Sequence, residues 1–137
     1  MAVNPLQGPG VLVVIEPDEP VRTALVTLLQ VSGSEVLAVA TAGRLPDMLG
    51  ASTVTAVIAE SSLPDMSPFA LLAMCSKYGV PVIFTGRGQA VQEAVDLMRA
   101  GALDYLQKPF SQERLLRLLP VMAERHNNLA TRQVTDT

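Results

Sequence analysis

Polar side chains that could take part in catalysis or binding stand at the ends of four apolar runs in this sequence. Glu16 and Glu60 each close a run rich in β-branched residues, Thr85 ends a third, and Lys108 follows a fourth. Short apolar runs of this kind predict strands buried on both faces, as in a parallel sheet. Open α/β sheets build their binding sites at the carboxyl ends of their strands. We therefore expect these side chains to share one pocket, with Glu60 as a candidate nucleophile.

Strands and helices are predicted to alternate five times along the chain. The runs predicted to form strands lie at 10–15, 35–40, 54–59, 81–85 and 103–106. Helical spacing of apolar residues, with proline and glycine at the ends, predicts helices at 21–31, 44–50, 67–78, 89–100 and from 111 onwards. This alternation is typical of a parallel sheet covered by helices on both faces. We expect an α/β protein with a three-layer, doubly wound (βα)5 flavodoxin-like fold and strand order 2-1-3-4-5.

The domain organisation follows from length and polarity. The chain has 137 residues, the size of one domain. We predict a lead-in at 1–9, one domain at 10–126, and a linker or disordered tail at 127–137, where polar residues carry no core signal. His126 is expected to face solvent near the end of the last helix.

Composition excludes several classes of function. Hydrophobic residues make up 49% of the chain, enough for a buried core, and the net charge of −3 argues against nonspecific binding of nucleic acid or of an anionic membrane. Because no apolar run is long enough to span a membrane and no leader pattern is visible, we expect a soluble, cytoplasmic protein. The single Cys75, expected to be buried, excludes an internal disulfide, and the single His126 excludes a multi-histidine metal site.

Four segments together resemble one protein family. They are the first strand with its acidic loop, the turn Leu63-Pro64-Asp65-Met66, the strand Pro81-Val82-Ile83-Phe84-Thr85-Gly86, and the segment from Ala100 to Phe110. As a set they resemble the receiver domain of two-component response regulators, the CheY-like superfamily. The resemblance covers about residues 10–126 and is strongest to receivers of nitrogen regulation and of σ54-type activators.

The resemblance implies roles for the residues at the strand ends. Lys108 matches the lysine that contacts a phosphoryl group, and its bond to Pro109 is expected to be cis. Thr85 matches the hydroxyl that follows the phosphoryl group on activation, and Tyr105 matches the aromatic residue whose ring turns inward. Glu16 matches the first of two acids that normally hold Mg²⁺.

Two positions depart from the family pattern. Pro17 stands where the second acid is expected, so that a ligand of Mg²⁺, or the water it holds, is missing. Glu60 stands where the family has its phospho-accepting aspartate, and the extra methylene pushes the nucleophile into the space of the incoming phosphorus. If the loop were slipped, Asp18 would supply a ligand beside Glu16, and this alternative stays open. We nevertheless expect no Mg²⁺ cofactor and no enzymatic activity.

The resulting hypothesis is a pseudo-receiver in which Glu60 is a permanent anion paired with Lys108. Such a protein acts through contacts with another protein, which the resemblance implies is a histidine kinase or a downstream effector domain. The face formed by the fourth helix, fifth strand and fifth helix is a candidate surface for this partner or for a homodimer. Its residues are Gln92, Asp96, Arg99, Tyr105, Arg114 and Arg117. We expect this domain to make no direct contact with nucleic acid or membrane.

Two alternative functions remain. The first is a working phospho-accepting receiver with a rearranged acidic pocket, which would respond to Mg²⁺ in a saturable way. The second is a small flavin- or nucleotide-binding protein of the same topology, with its phosphate on the loop after the first strand. That loop, at 16–20, carries three acids and no glycine, and it would repel phosphate.

Overall fold

The structure is a computed structural model that describes residues 10–51, 53–88 and 91–135. The predicted lead-in at 1–9 lies outside the described residues, and so do the first two residues of the predicted fourth helix. Within the described part, no helix is both long enough and apolar enough to cross a membrane.

Five parallel strands form one sheet in the order β2-β1-β3-β4-β5. The strands are β1 (Val11–Ile15), β2 (Val36–Val39), β3 (Val54–Glu60), β4 (Val82–Gly86) and β5 (Asp104–Gln107). The predicted fold class and strand order are therefore confirmed. The three inner strands are almost entirely buried, whereas the edge strands β2 and β5 are partly exposed, because only an inner strand is covered fully on both faces.

The helices alternate with the strands, as predicted. They are α1 (Glu19–Val31), α2 (Leu45–Ala51), α3 (Pro68–Lys77), α4 (Val91–Arg99) and α5 (Gln112–Thr135). Local sequence sets their ends. Pro20 lies in the first turn of α1, and the Ser67 hydroxyl accepts a hydrogen bond from the Ala70 N–H at 3.1 Å to cap α3. After α3 the chain turns at Gly79, whose φ of 70° favours glycine.

Two apolar layers cover the sheet, one on each face. Side chains alternate along β1, so that Val13 and Ile15 enter one layer while Leu12 and Val14 enter the other. The first layer is completed by α2, α3 and α4, and it contains the buried Cys75, as predicted. The second layer is completed by α1 and α5. This packing fixes the strand ends, and hence the residues that follow them.

The last helix continues farther than the sequence suggested. Residues 127–135, which fall in the predicted linker or disordered tail, continue the helix α5, and their role as a linker stays a prediction. The segment contains good helix formers such as Leu129 and Arg132 and neither glycine nor proline to stop the helix. His126 consequently lies inside the helix. It is half-buried rather than solvent-facing, and its Nδ1 lies 3.3 Å from the Gly79 carbonyl oxygen.

Candidate functional site

The register of the sheet brings the polar strand ends into one pocket. Ile15 of β1 is level with Ala59 of β3, so that Glu16 and Glu60 follow at the same edge of the sheet. Glu60 is in turn level with Thr85 of β4. Lys108 follows β5 directly, and its backbone N–H donates to the Gly86 carbonyl oxygen at 2.6 Å. The bond between Lys108 and Pro109 is cis, as the resemblance implied.

The Lys108 ammonium lies between two carboxylates. Its Nζ is 2.5 Å from Glu16 Oε1 and 2.6 Å from Glu60 Oε2. The side chains of Lys108, Glu16 and Glu60 are 17%, 3% and 11% exposed, so the cluster is largely shielded from water. The predicted ion pair between Glu60 and Lys108 is present. The second ion pair, with Glu16, was missed, because sequence position does not reveal how far a lysine side chain reaches across the pocket.

Two opposing effects act on the pKa of Lys108. Burial is the larger single effect and by itself would lower that pKa, because it disfavours the charged ammonium. The hydrogen bonds to Glu16 and Glu60, together with the attraction of their charges, outweigh it and raise the pKa above its ordinary value. Lys108 is therefore a fixed cation of this pocket.

Further hydrogen bonds hold the two carboxylates in place. Glu16 Oε2 accepts from the backbone N–H of Asp18 at 3.1 Å. Glu60 Oε1 accepts from the backbone N–H of Ser62, and Glu60 Oε2 accepts from the Thr85 hydroxyl, both at a long 3.4 Å. Thr85 is itself buried. The pocket thus satisfies its charges with groups of this chain.

An arginine fixes the loop between β1 and α1. Arg22 Nη1 donates to the carbonyl oxygen of Glu16 at 2.8 Å and, more weakly, to that of Pro17 at 3.4 Å. Asp18 is the N-cap of α1, and its carbonyl accepts the helical N–H of Arg22. The loop is therefore held by a side-chain and a helical hydrogen bond, and both Pro17 and Asp18 line the pocket. This role of Arg22 was not predicted from the sequence. Every residue has a backbone carbonyl, so the residue types do not indicate which carbonyl an arginine will contact.

The pocket opens into a polar groove of about 790 Å³. Asp65 lies on one wall, where its carboxylate accepts the Ala42 N–H at 3.1 Å and ties the loops after β2 and β3 together. Tyr105 and the exposed Arg87 also line the groove. Among the described residues, no group of three or more His, Cys, Asp and Glu side chains is arranged to hold a metal ion.

The predicted interface residues lie together on α4, β5 and α5. Several pair within the chain: Gln92 with Asp96 at 2.8 Å, Arg114 with Asp104 at 3.6 Å, and Arg117 with Glu113. An apolar stripe on α4, formed by Val91, Val95 and Met98, is exposed on the same side of the molecule. Helical spacing did not reveal this stripe, because it predicts a helix without showing which of its apolar side chains stay exposed.

Comparison with known proteins agrees with the fold. The family model described as "Response regulator receiver domain" matches residues 12–120 of the chain. The chain belongs to the response regulator receiver domain family. Receiver domains of this family are signalling modules, so the resemblance predicted from the sequence is confirmed.

Named relatives share this receiver domain. The response regulator protein FleR of Pseudomonas aeruginosa is 34% identical over 110 residues, which cover 79% of this chain and 23% of FleR. The transcriptional regulatory protein FixJ of Rhizobium meliloti is 32% identical over 118 residues, which cover 81% of this chain and 55% of FixJ. The chain thus spans less than a quarter of one relative and about half of the other.

A solved structure shows the same fold. It is the receiver domain of sensor histidine kinase PA1611 from Pseudomonas aeruginosa, determined with a magnesium ion coordinated in its active-site cleft. Its TM-score to this receiver is 0.73 at 23% identity, and the match covers 86% of this chain and 99% of that domain.

Replacing the central lysine should destabilise the receiver strongly. Lys108→Met leaves the carboxylates of Glu16 and Glu60 facing each other without the cation between them, and we expect the free energy of unfolding at neutral pH to fall by about 3–5 kcal/mol. Urea unfolding measures this. Arg117→Met is the matched control, because it removes a cation from an exposed pair, and it should cost less than about 1 kcal/mol. Similar losses in the two variants would contradict the buried cluster.

The raised pKa of Lys108 predicts a dependence on alkaline pH. A cation whose pKa is higher in the folded chain stabilises fully below its ordinary value of 10.5, and the stabilisation is lost as the pH rises through the higher folded value. From neutral pH upwards, the difference in unfolding free energy between wild type and Lys108→Met should therefore persist to that pH and shrink above it. Urea unfolding at stepped pH tests this, and a difference that stays unchanged there would argue against the ion pairs.

Proposed function

We propose that this receiver is a pseudo-receiver: a signalling module whose pocket is held by Lys108, Glu16 and Glu60 without Mg²⁺ and without phosphorylation, and which acts by binding another protein. The observation that carries the proposal is the position of Lys108 Nζ, which is within 2.6 Å of both carboxylates. One internal cation is already paired with both of the acids on which metal-dependent phosphorylation would rely.

The residues of the pocket do not fit Mg²⁺. Receiver domains usually bind this ion at their acidic pocket, where it needs near-octahedral oxygen ligands at about 2.0–2.1 Å. Here Pro17 offers no side-chain oxygen, and Glu16 and Glu60 each direct an oxygen to the ammonium. A metal ion would have to displace the ammonium group of Lys108 from the carboxylates. The charge of Lys108 would then lie beside that of the metal ion.

Glu60 is placed as a substitute for a phosphorylated side chain rather than as a nucleophile. Its Oε2 contacts both Lys108 Nζ and the Thr85 hydroxyl, the two groups that by family resemblance contact a phosphoryl group. The longer side chain therefore supplies an anion where the phosphoryl oxygens would lie. An incoming phosphoryl donor would meet this anion already paired, in a space that the extra methylene has filled.

This arrangement keeps the switch residues engaged by groups of the chain itself. Thr85 is buried and hydrogen-bonded to Glu60, so its hydroxyl needs no phosphoryl partner. Regulation then depends on which protein is bound or on the amount of this protein, rather than on a kinase reaction.

The partner of the pseudo-receiver is a histidine kinase or a downstream effector domain in the cytoplasm. Its contact face lies on α4, β5 and α5, where exposed charges surround the apolar stripe of α4; the same face would support a homodimer. Residues 127–135 extend α5 beyond the core and form a linker, in keeping with relatives longer than this chain. The domain itself binds neither nucleic acid nor membrane.

Phosphorylation by a small-molecule donor tests the proposal. Wild-type protein incubated with radioactive acetyl phosphate and Mg²⁺ should take up no label, because the pocket lacks a fitting metal site and its carboxylate is displaced. Pro17→Asp/Glu60→Asp restores the second acid and the shorter acceptor, and it should gain Mg²⁺-dependent label.

The control for this gain is Pro17→Asp/Glu60→Asn, which has the restored acid but no acceptor and should stay unlabelled. Stoichiometric, Mg²⁺-dependent label on wild type that Glu60→Gln abolishes would overturn the proposal and favour the phospho-accepting alternative.

A further inference from the structure

The last residue of β4 provides the space that Tyr105 occupies. If Gly86 carried a β-carbon, that carbon would lie 2.0 Å from the Tyr105 hydroxyl oxygen and 2.9 Å from Tyr105 Cζ. Both distances are far below van der Waals contact. The hydroxyl is fixed to a rigid ring and cannot withdraw by itself, so the whole side chain would have to turn away.

Space, and not backbone conformation, is the reason for glycine at this position. Gly86 is buried in a regular strand, and its φ is not positive. The described glycines with positive φ are Gly33, Gly79, Gly88 and Gly101. Alanine could therefore adopt the same backbone. The collision with Tyr105 is what it could not avoid.

A second contact of the same kind follows two residues later. A β-carbon on Gly88 would lie 2.6 Å from Gln107 Cδ. Tyr105 and Gln107 project from the same face of β5, since they are two residues apart in a strand. The two side chains thus lie over the two glycines that flank Arg87.

The glycine contact is continuous with the pocket. The carbonyl oxygen of Gly86 accepts the backbone N–H of Lys108, and the preceding residue, Thr85, donates its hydroxyl to Glu60. Ser61 Oγ also lies beside Gly86, 2.8 Å from where a β-carbon would stand. The end of β4 therefore touches the ion cluster on one side and Tyr105 on the other.

We propose that Gly86 is a positioning residue that keeps Tyr105 turned towards β4, so that the space left by the missing side chain, and not the chemical state of Glu60, sets the position of Tyr105. Tyr105 also lines a groove of about 480 Å³ between α4 and β5, together with Val95, Met98 and Arg114. A fixed Tyr105 keeps this groove in one shape. The inference rests on the proposed function in one respect, namely that no phosphoryl group acts on the pocket.

Fluorine NMR of the full chain labelled with 3-fluorotyrosine tests the inference. The sequence has two tyrosines, Tyr78 and Tyr105, and Tyr78→Phe assigns the two signals. In Gly86→Ala the Tyr105 signal should move towards the shift of free fluorotyrosine and gain a larger solvent isotope shift, whereas the Tyr78 signal stays in place. Gly50→Ala is the matched control, because a β-carbon there meets nothing within 4 Å, and it should move neither signal. An unmoved Tyr105 signal in folded Gly86→Ala would overturn the inference.

A thermodynamic cycle covers the case in which Gly86→Ala folds poorly. Because the collision is with Tyr105, the fall in urea midpoint caused by Gly86→Ala should be reduced by roughly half or more in a Tyr105→Ala background. If the fall is equally large in both backgrounds, Tyr105 is not the group that Gly86 accommodates.

A third variant separates this inference from the proposed function. In Glu60→Gln the charge of the pocket changes but the space over Gly86 does not, so the Tyr105 signal should stay at its wild-type position. A signal that moves as far as in Gly86→Ala would show that the pocket controls Tyr105 and would overturn the inference. Label from acetyl phosphate on wild type, with Tyr105 still displaced by Gly86→Ala, would instead contradict only the proposed function.

Discussion

A single ammonium group between two carboxylates decides the character of this pocket. Two like charges about 4 Å apart repel by on the order of 4 kcal/mol at an effective dielectric constant of about 20. This repulsion is a large part of the free energy of unfolding of a small domain, which is about 5–15 kcal/mol. Because β1 and β3 end at the same edge of the parallel sheet, Glu16 and Glu60 lie together there. A compensating cation is therefore required at this edge. In this receiver Lys108 supplies it from the chain itself.

The rest of the site follows from that requirement. Arg22 holds the loop that carries Glu16, and the cis bond before Pro109 belongs to the turn that carries Lys108. The hydroxyl of Thr85 donates a further hydrogen bond to the carboxylate of Glu60. Desolvation opposes the charge on Lys108, but two nearby carboxylates outweigh it, which is why its pKa is raised. In the proposed pseudo-receiver such a pocket would gain little from a metal ion, because binding one would first separate existing ion pairs.

The sequence was sufficient for the fold and for the identity of the pocket. Buried strands show themselves through runs such as Val11–Ile15, and a polar residue that ends such a run is at the active edge of the sheet whatever the details of packing. The pairing of Glu60 with Lys108 was predicted with the help of the resemblance, which matches Lys108 to the lysine that contacts a phosphoryl group. Residue type at the end of a strand carries this information directly.

Other features depended on the register between strands or on side-chain reach. The contact of Gly86 with Tyr105 exists because β4 and β5 pair Phe84 with Tyr105, and the second partner of Lys108 depends on the path of a flexible side chain. The helical continuation of α5 was missed because polar composition was taken to indicate disorder. Polar residues without glycine or proline also suit a solvent-exposed helix.

The most direct test of the account observes Lys108 itself. The chain has two lysines, Lys77 and Lys108, so the side-chain ¹⁵N ammonium spectrum should show two signals, with Lys77 as an internal reference. If Lys108 takes the place of a metal ion, its signal should persist at an unchanged shift while Mg²⁺ is added to millimolar concentration. A saturable shift of the Lys108 signal, with Lys77 unaffected, would show that Mg²⁺ displaces the ammonium and would contradict the account.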